Sequence, residues 1–134
     1  MFYDFTLTVP ANTAKSAPAS ETMKLTTGII HRVEIQFPSG CLGAVHVYLE
    51  HEGHQFLPSN PDGSFASDGY TIPIDEHYEI KSGLTDMWVR GWSDAEDYDH
   101  TITVRVGILP LETVSPFVGI IGALRKFLKL VGVG

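Results

Sequence analysis

The fold follows first from residues 101–108, Thr-Ile-Thr-Val-Arg-Val-Gly-Ile, in which apolar and polar side chains alternate with a period of two. This period is typical of a β-strand that buries one face and leaves the other in water. The same alternation predicts three further strands, within residues 3–9, 29–37 and 45–50. Shorter strand candidates lie at residues 55–57, 70–74, 77–81 and 87–92.

Short turn-forming sequences separate these strands, including Pro-Ser-Gly at 38–40, Asn-Pro-Asp-Gly at 60–63 and Ser-Gly at 82–83. Seven to eight short strands with turns at this spacing predict an all-β fold, an antiparallel and jelly-roll-like β-sandwich. The 134 residues suit one domain. We place the sandwich in residues 1–111 and a separate apolar segment in residues 112–134.

Residues 10–21, PANTAKSAPASE, interrupt the alternation with small residues and two prolines. They predict an extended loop or arm, because segments of this length without periodicity are usually functional or mobile. Two alternatives remain open at this point. The segment either returns the chain to its own sandwich or carries the strand at 2–9 onto the sheet edge of a neighbouring subunit.

The carboxy-terminal segment predicts an amphipathic helix that begins at Ser115-Pro116, a favourable helix start. Seven large apolar residues share one side of it: Phe117, Ile120, Ile121, Leu124, Phe127, Leu128 and Val131. This side could pack on its own sandwich, on other copies of the chain, or on a membrane surface with Arg125, Lys126 and Lys129 at the headgroups. We predict that these seven residues, with Phe5 and Leu7 of the first strand, form an assembly interface.

Charge and composition exclude several classes of function. The net charge of −7 argues against a nucleic-acid-binding protein that relies on positive charge. Residues 1–111 carry six basic and fifteen acidic side chains, a balance of −9, whereas residues 112–134 carry +2. Residues 1–5 resemble no secretory signal peptide, so none is predicted. No nucleophile elbow, dinucleotide fingerprint or P-loop is present in the sequence, and we predict neither a catalytic site nor a cofactor.

Three groups of side chains are candidate binding sites. Histidines 46, 51 and 54 could hold a metal ion, but their spacing favours exposed hairpin histidines and no metal. The acidic run at 94–99 lacks the EF-hand pattern and predicts a solvated loop. Trp88, Arg90 and Trp92 share one face of a strand and would form an exposed sugar-binding ridge if Met87 and Val89 face the core; tryptophans more often anchor a core or an interface.

The segment Asp99–Pro110 followed by an apolar tail resembles small structural proteins of tailed phages and related virus particles. The opening Phe5–Pro10 and the later Gly40–Gly43 fit the same style. The resemblance implies a non-enzymatic capsid decoration, cement or other virion protein, assembled in the host cytoplasm, whose partners are its own copies or other virion proteins. No functional residue is carried over from it. The alternative function is a carbohydrate-binding β-sandwich module that uses Trp88, Arg90 and Trp92.

Overall fold

The computed structural model describes residues 1–111, which form eight β-strands. The strands are β1 Phe2–Val9, β2 Ala19–Lys24, β3 Gly28–Phe37, β4 Val45–His51, β5 His54–Leu57, β6 Tyr70–Ile80, β7 Asp86–Ser93 and β8 His100–Leu109. All of their pairings are antiparallel. The predicted all-β, antiparallel sandwich is therefore confirmed for this part of the chain.

The strands form two four-stranded sheets. The first sheet has the order β1-β8-β3-β6, and the second has the order β2-β7-β4-β5. These two strand orders, in sheets that face each other, are the arrangement of a jelly roll, which consists of two Greek keys. Along residues 1–111 no helix is long and apolar enough to cross a membrane.

The core lies between the two sheets and is built by the alternation that the sequence displays. In the first sheet, Ile35 pairs with Val104 and Val33 with Val106, and all four side chains are fully buried. The second sheet contributes buried residues of β4 and β7 to the same cluster: Val45, Val47, Leu49, Met87 and Val89. Within residues 1–111 no buried side-chain polar atom lacks a hydrogen-bond partner. Burying each large apolar side chain contributes roughly 1.5–3 kcal/mol to folding before entropy is counted.

The connection between β1 and β2 is shorter than predicted. Residues 19–21 belong to β2, so the irregular segment covers residues 10–18. The amide of Asn12 donates to the carbonyl of Ala95 at 2.8 Å, and the amide of Ser93 donates to the carbonyl of Thr13 at 3.0 Å. These backbone bonds hold the connection against the β7–β8 loop of its own sandwich.

Strand β1 pairs with β8 of the same chain over its whole length, from Phe2 opposite Gly107 to Val9 opposite His100. Of the two alternatives for the amino-terminal segment, the structure thus shows the return to its own sandwich. Leu7 is 3% exposed and belongs to the core, so its prediction as an assembly residue is corrected. Phe5 is half-buried and stacks on Tyr3 with 6.2 Å between ring centroids.

The predicted carboxy-terminal helix lies outside the described residues. The same is true of the seven apolar residues assigned to its interface, Phe117, Ile120, Ile121, Leu124, Phe127, Leu128 and Val131. They remain predictions from the sequence.

Candidate functional site

The outer face of the second sheet carries the three residues singled out as a ridge. Met87 and Val89 are fully buried, and the intervening side chains of β7 therefore point away from the core. Trp88, Arg90 and Trp92 share this outer side because alternate residues of a strand face the same way. We call these three residues, with the adjacent Tyr48 and Glu50 of β4, the tryptophan face. Their cross-strand pairs are Trp88 with Glu50 and Arg90 with Tyr48.

Trp92 is covered although it lies on the outer side, and it is only 8% exposed. Its ring stacks on His46, its cross-strand partner, at 4.8 Å between centroids and 6° between planes. The Lys15 ammonium lies over the same ring, 5.1 Å from its centroid, and Tyr48 approaches it at 5.9 Å. Of the two readings weighed for these tryptophans, the open ridge does not hold for Trp92, which is covered, while Trp88 is half-buried.

Arg90 and Glu50 form an ion pair at the centre of the tryptophan face. The Arg90 Nε donates to Glu50 Oε2 at 2.8 Å, and its Nη1 donates to the Ser20 hydroxyl at 3.2 Å. Burial raises the pKa of the Tyr48 hydroxyl, and the negative charge of Glu50 raises it further while Arg90 opposes both. Tyr48 is accordingly a neutral hydrogen-bonding group at neutral pH.

Two cavities open beside this central ion pair. The first, of about 270 Å³, has Trp88 as its aromatic wall, and we call it the Trp88 cavity. Its other lining residues come from the end of β4, the start of β7 and the turns next to them: His51, Glu52, Gly83, Leu84, Thr85 and Asp86. The second, of about 200 Å³, lies against Trp92, and we call it the Trp92 cavity. Its polar lining is Lys15, Tyr48, Glu50, Gln55 and Asp62.

Gln55 fixes the wall of the Trp92 cavity. Its Nε2 lies within hydrogen-bond distance of three loop carbonyls, those of Pro58 at 2.8 Å, Asn60 at 3.1 Å and Gly63 at 3.2 Å. One amide group thereby gathers the β5–β6 loop around itself. Sequence reasoning missed Gln55, because its partners are carbonyls of an irregular loop, which leave no pattern of side chains.

His51 forms the floor of the Trp88 cavity and links the two sheets. It is buried, which corrects the prediction that it is an exposed hairpin histidine. Its Nε2 lies 2.8 Å from the carbonyl of Leu84, which can only accept, so Nε2 carries the proton. Its Nδ1 lies 2.6 Å from the Tyr78 hydroxyl of β6. Burial raises the pKa of Tyr78, and the nearby Glu52 charge adds to the increase.

The three candidate histidines do not meet. The His46 Nδ1 lies 3.0 Å from the Ser64 hydroxyl, His51 bonds inside the sandwich, and His54 is exposed at the start of β5. Across residues 1–111 no three side chains of the histidine, cysteine, aspartate and glutamate types come together as a metal-binding group.

A second surface lies at one end of the first sheet, on Met1, Phe2, Leu109 and Leu111, and we call it the apolar corner. Met1 and Ile108 exchange two backbone hydrogen bonds at 2.9 and 2.7 Å, which fixes the start of the chain beside the end of β8. Phe2 packs edge-on against His31 at 5.7 Å, over the space that a side chain at position 107 would fill. Phe2 is nevertheless 63% exposed, Leu109 37% and Leu111 40%.

The sequence matches no known family model and no curated protein. Among solved structures, the chain is similar to a family two carbohydrate esterase from Cellvibrio japonicus. The TM-score is 0.35 and the identity 14%, and the match covers 82% of this chain and 36% of that chain. The chain thus spans little more than a third of the length of that structure. A likeness at this level identifies neither a family nor a function.

Proposed function

We propose that the chain is a non-enzymatic structural protein that associates with other copies of itself, as a capsid decoration, cement or other virion component. The observation that carries the proposal is the apolar corner. It lies where the described residues end and the chain continues into residues 112–134. Large apolar side chains that are exposed together on a surface are the feature expected of an interaction site.

The free energies of burial explain why association needs both the apolar corner and the apolar residues of 112–134. The four side chains of the apolar corner are partly exposed, and covering them would contribute on the order of 3–6 kcal/mol. Association costs an estimated 4–15 kcal/mol in lost freedom, so the corner alone does not hold two copies together. The seven apolar residues within 112–134 would add on the order of 10–20 kcal/mol if fully buried, before their own ordering costs.

The charge distribution supports contact through the termini rather than through the bodies. Residues 1–111 carry a balance of −9, so two sandwiches repel each other at low ionic strength. Residues 112–134 carry +2 and are attracted to an acidic body. A jelly roll occurs in viral capsid proteins as well as in lectins, so the choice of a virion role relies on the resemblance of Asp99–Pro110 and its tail.

Sedimentation velocity of the full chain tests this proposal. The wild type should form oligomers whose fraction rises with protein concentration, and Leu124→Ser should shift them towards monomer. Phe2→Ser should weaken association as well, because it removes the most exposed large side chain of the apolar corner. Tyr98→Ser is the matched control, since Tyr98 is exposed in the β7–β8 loop away from the corner. A wild type that stays monomeric throughout would contradict the proposal.

A further inference from the structure

We propose that the tryptophan face binds a neutral oligosaccharide, with one sugar unit in each of its two cavities. This site lies on the second sheet, whereas the assembly role proposed above uses the end of the first sheet. Either proposal can therefore be wrong without affecting the other.

The Trp88 cavity has the chemistry that a sugar ring requires. A pyranose presents a flat C–H surface and a rim of hydroxyl groups, so it needs an aromatic wall and polar groups around it. Trp88 is half-buried and lines this cavity, where it can supply the wall. The carboxylates of Glu52 and Asp86 and the hydroxyl of Thr85 surround it and can accept from sugar hydroxyls.

The Trp92 cavity offers a second set of polar groups, and its accessible aromatic side chain is the half-buried Tyr48 rather than Trp92. The Tyr48 hydroxyl, the Asp62 carboxylate and the Lys15 ammonium line it beside the covered Trp92 ring. Its volume of about 200 Å³ and the 270 Å³ of the Trp88 cavity both lie below the roughly 300–1,000 Å³ of pockets that enclose drug-sized ligands. Each cavity therefore suits one small polar unit rather than a large cofactor.

The spacing of the cavities favours a chain of sugars over a single one. Trp88 and Trp92 lie four residues apart on one strand, which separates their backbones by about 13 Å. The Arg90–Glu50 ion pair lies between them and holds the Glu50 carboxylate in the Trp92 cavity. A monosaccharide fills one cavity only, whereas an oligosaccharide that crosses Arg90 can reach both.

The charges of the face select against acidic glycans. Four carboxylates line the two cavities, from Glu50, Glu52, Asp62 and Asp86. The two cations nearby, Lys15 and Arg90, are already engaged, the first over Trp92 and the second with Glu50. A uronate or sulfate group brought into this face would meet like charge. The expected ligand is consequently uncharged.

Isothermal titration calorimetry of the full chain tests this site. The probes are hexasaccharides of β-1,4-linked glucose, xylose and mannose, with the matching monosaccharides and hexagalacturonate as comparisons. We expect one neutral hexasaccharide to bind at least about tenfold more tightly than its monosaccharide, and hexagalacturonate not to bind. The proposal is overturned if none of the three neutral hexasaccharides binds at millimolar concentration, or if hexagalacturonate binds best.

Two substitutions locate the binding. Trp88→Ala should weaken the neutral hexasaccharide by about ten- to a hundredfold, since it removes the aromatic wall. Asp86→Asn conserves the shape of the side chain and should weaken hexasaccharide binding by less than Trp88→Ala. It should not affect the fold, because position 86 is exposed. Tyr70→Ala, an exposed aromatic residue on the other sheet, is the control and should bind like the wild type. Unchanged affinity in both Trp88→Ala and Asp86→Asn would place the ligand elsewhere and refute this site.

Discussion

Two alanine substitutions on β1 separate the core from the interface. Leu7 faces the core and is 3% exposed, whereas Phe2 lies on the opposite side of the same strand and is 63% exposed. Leu7→Ala should reduce the free energy of unfolding, and Phe2→Ala should reduce association. From the sequence alone, Phe5 and Leu7 are assigned to the interface. The substitutions Leu7→Ala and Phe2→Ala therefore test whether Leu7 belongs to the core, as the structure shows.

The size of the Leu7 effect follows from its surroundings. Its Cδ2 lies 3.3 Å from where a side chain of Gly91 would begin, and Gly91 has no side chain that could move into the space left by alanine. Truncating a buried leucine costs about 2–5 kcal/mol, with larger costs where the cavity cannot collapse. We expect a loss of about 3–5 kcal/mol for Leu7→Ala, and less than about 1 kcal/mol for the exposed Phe2→Ala.

Urea unfolding followed by tryptophan fluorescence measures both effects, since both tryptophans lie on β7. The measurement is made at a dilution where the wild type and both variants are monomeric, so that association does not contribute to stability. A Leu7→Ala variant that unfolds within about 1 kcal/mol of the wild type, but forms fewer oligomers than the wild type at higher concentration, would contradict the assignment of Leu7 to the core. That result would make Leu7 an interface residue after all.

Three further predictions concern single positions. Burial raises the pKa of Tyr78 above its ordinary value of 10, so the contribution of Tyr78 to stability is present below pH 10 and is lost as pH rises through the raised pKa. In Tyr78→Phe the free energy of unfolding should therefore fall less steeply at alkaline pH. A fall as steep as in the wild type would contradict this. A side chain at Gly28 would begin 2.6 Å from the Leu109 carbonyl oxygen, so Gly28→Ala should lower the free energy of unfolding by about 2 kcal/mol or more. Gly83→Ala should lower it by about 1 kcal/mol, because a side chain there meets open space. Calorimetric unfolding that finds Gly83→Ala the less stable of the two would contradict this prediction. Cys41 is buried and burial raises the pKa of its thiol, so it should react with a thiol reagent at neutral pH only as fast as the protein opens; immediate reaction would disprove its burial.

The strands could be predicted from the sequence because their signal is local. In β8, and in β3 from Val33 to Phe37, every second side chain is apolar, and that period directly encodes a half-buried strand. A β-bulge between Ile30 and Arg32 breaks the period at the start of β3, and Ile30 is buried there. Strand β2 was missed as a whole, because residues 19–24, Ala-Ser-Glu-Thr-Met-Lys, show no alternation of apolar and polar side chains. This edge strand buries only Met23 fully, where it pairs with Met87. The two short candidates at 70–74 and 77–81 are parts of one strand, β6.

The candidate site could be predicted only in part, because it depends on contacts between distant residues. The shared side of Trp88, Arg90 and Trp92 follows from strand alternation once Met87 and Val89 are assigned to the core. The cover over Trp92 does not follow, since Lys15 reaches it from the β1–β2 connection. His51 likewise bonds to Tyr78 and Leu84, 27 and 33 residues away, and only the tertiary fold brings these groups together.

Photo-crosslinking from the apolar corner tests whether the termini bring copies of this chain together. The full chain would carry benzoylphenylalanine in place of Phe2, be irradiated at a concentration where oligomers form, and be digested for mass spectrometry. Association through the termini should give covalent dimers in which position 2 of one copy is joined to a peptide from residues 112–134 of another. Crosslinks found only within single chains, with no covalent dimer, would contradict it.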